Sequence, residues 1–76
     1  MQLKSGSRNK AYWLSFVISR YAHSKKSTSD IVFPKLRKYG ALDFLDKHYE
    51  IEHLENIIYI LEDIDTIIKR NGGSSE

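Results

Sequence analysis

Apolar residues recur along this chain with a helical period. The clearest case is residues 56–70, where Ile57, Ile60, Leu61, Ile64, Ile67 and Ile68 share one arc and Glu62, Asp63, Asp65, Thr66, Lys69 and Arg70 occupy the rest. An arc of roughly 120° is what a core-facing helix buries. Asn56 is its expected N-cap. Lys69 and Arg70 suit the carbonyl end of the helix dipole, and Gly72-Gly73 ends the helix.

A second long helix is predicted over 9–24, capped by Asn9, with Trp13, Leu14, Val17, Ile18, Tyr21 and Ala22 on its core face. Tyr12, Phe16 and Arg20 follow one another at i+4 steps away from that face. Two readings are open for them. A small core can half-bury both aromatics, or the three side chains form an exposed aromatic and cationic strip suited to a protein partner.

Two short helices are predicted between the long ones. Residues 31–39 place Val32, Leu36 and Tyr39 together, but Pro34 interrupts any helix capped at Thr28 or Ser29. A start near Phe33 is the expectation, with Gly40 closing the helix in the left-handed conformation. Residues 41–48 place Leu42, Leu45 and Tyr49 on one side, with Phe44 as an extra contact, and 50–55 read as a connection. The predicted fold is all-α: a compact small domain of about four helices, two long and terminal, two short and central. Trp13, Val17, Tyr21, Leu36, Leu45, Ile60, Ile64 and Ile67 are its expected core. The organisation expected is a flexible leader at 1–8, one helical domain at 9–71 and a flexible tail at 72–76.

The 76 residues allow one domain, and with no cysteine that domain has neither disulfides nor a thiolate-held metal to brace it. The longest apolar run, 57–61, is far short of the ~20 residues of a membrane span. The N-terminal stretch lacks the apolar length and small-residue cleavage site of a signal peptide, so a cytoplasmic location is expected. Charge is uneven. Residues 1–40 hold nine Lys and Arg against one acid, for +8, and residues 41–76 hold three against nine, for −6. This suits complementary packing of the halves or a charged protein partner better than a nucleic-acid surface.

No catalytic residue, cofactor site or metal site is expected. His48 and His53 are five apart, and solvated or hydrogen-bonded histidines are the default reading; His53 could also fix the corner into the last helix through backbone groups. The acids are expected on solvent faces, with Asp65 pairing Lys69. Residues 31–48 have the outline of a helix-turn-helix, but the second helix carries Asp43 and Asp46 against Lys47, which phosphates would repel.

The stretches Trp13-Leu14-Ser15-Phe16-Val17-Ile18, Lys38-Tyr39-Gly40-Ala41-Leu42-Asp43-Phe44-Leu45, His48-Tyr49-Glu50 with His53, Leu61-Glu62-Asp63-Ile64-Asp65 and Ile68-Lys69-Arg70-Asn71-Gly72-Gly73 carry a resemblance. Over nearly the whole domain, the chain resembles a family of short bacterial proteins classed as a domain of unknown function. It departs from that pattern at Leu54-Glu55-Asn56 and at Pro34. The resemblance implies no activity and no site residue. It implies a gene neighbourhood that includes ADP-ribosyltransferase-like proteins, and hence an operon partner and a toxin-neutralising role. The expected function is a non-catalytic protein-interaction module, an accessory or antitoxin-like subunit, with partner-binding residues Tyr12, Phe16, Arg20, Lys35, Arg37 and Lys38. A small DNA-binding domain is the alternative, and self-association a third possibility.

Overall fold

The computed structural model describes residues 3–73, with side chains from Asn9 onward. Five helices follow one another: α1 (Leu3–Ser24), α2 (Ser29–Lys38), α3 (Ala41–Lys47), α4 (Tyr49–Glu52) and α5 (Ile57–Arg70). Helix α1 packs against α2, α3 and α5, and α3 touches α2, α4 and α5. The predicted all-α architecture is therefore the observed one, with α4 as an additional single turn where a connection was expected. The leader expected at 1–8 and the tail expected at 72–76 fall partly outside the described residues. Within them, α1 begins at Leu3 rather than at Asn9, so Asn9 lies inside the helix instead of capping it.

The core contains Val17, Tyr21, Ala22, Val32, Leu36, Ala41, Leu45, Ile60, Ile64 and Ile68. Trp13 and Ile67, expected at its centre, pack against its edge, half-buried. Ile68 takes the central place instead, four residues after Ile64 and eight after Ile60. Ile68 is turned about 40° from Ile64, whereas Ile67 is turned about 60° to the other side.

Helix α2 starts at Ser29, not near Phe33. The Thr28 carbonyl accepts from the amides of Ile31 and Val32, both at 3.1 Å, and Pro34 lies inside the helix. Burial explains this. Val32 is buried one turn before Leu36, and a helix starting at Phe33 would leave it out of register. Burying a valine contributes about 1.5–3 kcal/mol, comparable with the ~3 kcal/mol penalty of an interior proline. Pro34 is exposed, so water can reach the carbonyl whose amide partner it removes.

Three helices end on a residue of positive φ: Lys26 (55°) after α1, Gly40 (83°) after α2 and Gly72 (94°) after α5. After α5 the Gly73 amide donates to the Ile68 carbonyl at 2.8 Å and the Gly72 amide to Lys69 at 3.1 Å. After α1 the Ser27 amide reaches Ala22 at 2.8 Å and the Lys26 amide reaches His23 at 3.0 Å. These paired bonds satisfy carbonyls that the helix leaves open. Glycine adopts this conformation freely, whereas a side chain there costs about 1–2 kcal/mol. Lys26→Gly should therefore stabilise the protein by roughly 0.5–1 kcal/mol after the extra unfolded-state entropy of glycine is subtracted. A melting temperature that falls on this substitution would show that Lys26 contributes more through its side chain than it loses through its backbone.

Candidate interaction site

On α1, Tyr12 is 67% and Phe16 52% exposed, and Arg20 is exposed one turn further on. The half-buried alternative for the two aromatics does not hold. Trp13, Leu14, Val17, Ile18 and Tyr21 occupy the packed side of the helix and leave no contact for the opposite side. The α2 cations do not join into one patch. Arg37 lines a groove between α1 and α2 with Leu14, Ile18, Phe33 and Leu42. Lys35 faces a different crevice, beside Tyr21, Lys25, Lys26 and Ile31. Lys38 is exposed, its ammonium 5.3 Å from the Tyr39 ring centroid. Thus Tyr12, Phe16 and Arg20 form one strip, while Lys35 and Arg37 point away from each other.

The acids are not all on solvent faces. The Tyr21 hydroxyl donates to Asp65 Oδ1 at 2.8 Å, and Lys25 Nζ donates to Asp65 Oδ2 at 3.1 Å. Asp65 therefore ties the end of α1 to α5 instead of pairing with Lys69. Burial, then the hydrogen bond to Asp65 and its charge, push the Tyr21 hydroxyl pKa far up, so it remains a donor.

Glu52 is 7% exposed, and its Oε1 is buried without a hydrogen-bond partner. Leu45, Tyr49 and Glu52 follow at helical spacing through α3 and α4, which carries Glu52 onto the core-facing side. Its carboxyl lies beside that of Asp63 on α5. Burial first, then the charge of Asp63, raise its pKa to about 7, and Glu55 adds to the rise. Glu52 therefore keeps its proton well above the ordinary carboxylate range and gives it up near neutrality. The pair is not evident in the sequence, where 50–55 reads as a connection. Recognising the helical spacing from Leu45 would have exposed it.

The α4 corner is held by rings. Trp13 meets Tyr49 edge-on at 5.3 Å, and Tyr49 stacks on His53 at 4.4 Å. His53 Nδ1 lies 2.6 Å from the Tyr49 carbonyl, which also accepts the His53 amide at 2.9 Å. A carbonyl can only accept, so Nδ1 carries the proton in that contact. His48 packs on Phe44 instead, at 4.7 Å. Among the described residues no three His, Asp or Glu side chains converge as metal ligands.

The far end of α5 is held by Asn71, whose Nδ2 donates to the Tyr39 carbonyl at 2.6 Å. A Cβ on Gly73 would lie 2.8 Å from both Ile68 and the Tyr39 ring. The stretches 38–45 and 68–73, far apart in the chain, therefore meet in space. The family described as Protein of unknown function (DUF3791) matches residues 13–71. The chain belongs to this family. No curated protein and no solved structure gives a significant match to it. The matched span runs from Trp13, which meets the Tyr49–His53 stack, to Asn71, which closes the α2–α5 contact. In this member of DUF3791, the motif residues Trp13, Tyr39, Tyr49 and Asn71 make contacts between helices, and His53 stacks on Tyr49. Tyr12 lies outside the match, and Phe16 and Arg20 lie within it.

Proposed function

We propose that this protein is a non-catalytic interaction module that binds a partner protein through the α1 strip of Tyr12, Phe16 and Arg20. The supporting observation is the exposure of two aromatics and an arginine at one-turn spacing on the unpacked side of the longest helix. Aromatic and arginine side chains are the types that anchor protein interfaces. The partner proposed is the ADP-ribosyltransferase-like protein that the family resemblance implies, with this chain as its accessory or antitoxin-like subunit in the cytoplasm. Arg37 and Lys38, both exposed on α2, are proposed as secondary contacts of the same partner.

The Tyr12→Ser/Phe16→Ser double variant tests the reading. It should keep its helical circular dichroism and melt within a few degrees of the parent, because both side chains are largely exposed. It should lose the partner in a tagged, nuclease-treated pull-down from native cells. Undiminished recovery of the partner by a folded double variant would remove the strip from the interface. The DNA-binding alternative finds less support. The α3 acids are occupied with cations, Asp43 with Lys47 at 3.3 Å and Asp46 with Lys10 at 3.2 Å, and the helix still presents more negative than positive charge.

A further inference from the structure

Eight large hydrophobic side chains are exposed among the described residues, and four of them, Ile51, Leu54, Ile58 and Tyr59, fall within nine positions of the chain. The Leu54 amide bonds the Ile51 carbonyl at 3.2 Å, closing one turn at the end of α4. Asn56 then caps α5, its Oδ1 accepting from the Ile58 amide at 2.9 Å, so Ile58 and Tyr59 stand in the first turn of α5. Leu54 is 78% exposed, and the other three are each about 60% exposed. Exposed apolar side chains clustered in this way among polar residues are the usual mark of an interaction surface.

The charged residues of this stretch have one sign. Residues 48–68 contain six acids and no Lys or Arg. Glu50, Glu55 and Glu62 are exposed around the apolar group, with the buried Glu52 and the half-buried Asp63 in the same stretch. Glu62 follows Ile58 by four residues and Tyr59 by three, so it sits between them on the surface of α5. The α1 strip, by contrast, carries Arg20 and no acid. The two surfaces therefore call for different partners.

The geometry points to a second docking site, the α4–α5 corner, which receives a cationic amphipathic helix of a partner protein. The helix supplies apolar side chains to Ile51, Leu54, Ile58 and Tyr59, and its Lys or Arg residues meet Glu50, Glu55 and Glu62. A helix suits the surface because its apolar residues recur at one-turn spacing, as Ile51 and Leu54 do. The described residues contain no strand whose edge could take an extended segment. Charge complementarity sets the sign of the partner and makes docking salt-sensitive.

The test titrates the isotope-labelled full chain with a synthetic Leu/Lys amphipathic helical peptide, and separately with its twin carrying Glu for every Lys. The Leu/Lys peptide should shift the amide signals of residues 50–62 and bind at least about tenfold more tightly than the twin. The Leu54→Ser/Ile58→Ser variant should bind it at least about tenfold more weakly. Both substituted side chains are largely exposed, so the fold should persist, and circular dichroism checks that it does. The Glu55→Lys/Glu62→Lys variant keeps every apolar side chain and should lose binding equally. Tyr12→Ser/Phe16→Ser should bind the peptide as the parent does, which separates this site from the α1 strip. Equal affinity for the two peptides, unchanged binding by either corner variant, or shifts centred on Tyr12 and Phe16 would overturn the proposal. So would corner shifts that grow with protein concentration alone, since the occupant would then be a second copy.

Discussion

Ile64→Asp abolishes the fold. Ile64 is fully buried midway along α5, with Ile60 and Ile68 one turn to either side, and α5 packs against both α1 and α3. Removing a buried isoleucine side chain typically costs about 2–5 kcal/mol. A carboxylate in its place adds several kcal/mol more, because the buried charge has no partner. The nearby cation on α1, Lys25, is already bonded to Asp65. A domain of this length without disulfides has only a few kcal/mol of stability to lose. The expected result is loss of the helical circular dichroism signal and of any cooperative thermal transition. Thr66→Asp, on the exposed side of the same helix, is the control and should melt within a few degrees of the parent. A helical Ile64→Asp variant with an unchanged melting temperature would refute the core assignment.

Stability should fall as pH rises through the window of Glu52. In the folded protein its carboxyl pKa lies at about 7, above the ordinary value near 4.5. Between those limits the folded state holds a proton that the unfolded state has released, so raising the pH favours unfolding. The full benefit is present below about pH 4.5, is lost progressively up to about pH 7, and the curve is flat above that. The contribution is on the order of 3 kcal/mol. Other carboxylates titrate in the same region, so the informative quantity is the difference between parent and Glu52→Gln in urea denaturation at each pH. The glutamine cannot ionise, and its amide can donate to Asp63. It should therefore gain on the parent by about that amount between pH 4.5 and 8. Parallel stability curves for the two proteins would mean that burial does not raise the Glu52 pKa.

The helices were legible because their apolar period is strong. Ile57, Ile60, Ile64 and Ile68 on α5, and Val17 and Tyr21 on α1, can only be buried together if both segments are helical. The caps were legible where residue type and conformation coincide: Asn56 before α5, Gly40 after α2. Lys26 was not, since its left-handed backbone is imposed by the bonds around it. The start of α2 was misplaced because Pro34 signals a break locally, while the burial of Val32 beside Leu36 is a tertiary gain. The start of α1 was misplaced because Ser5, Gly6 and Ser7 have loop composition yet continue an established helix. The α1 strip was located in the sequence by its i+4 spacing, but its exposure depended on which side of α1 the other helices cover.

By itself the sequence determined that this is a small all-α domain without cysteine, with basic and acidic halves and a long C-terminal amphipathic helix. Those properties follow from residue type and local period, which act along a single segment. Only the tertiary structure decided that Asp65 bonds Tyr21 and Lys25, that Asn71 reaches Tyr39, and that Glu52 is buried against Asp63. It alone decided too that Ile51, Leu54, Ile58 and Tyr59 remain uncovered. Each of these depends on what the packing of other helices brings near a residue or leaves open to water, and no property of the residue's own segment encodes that.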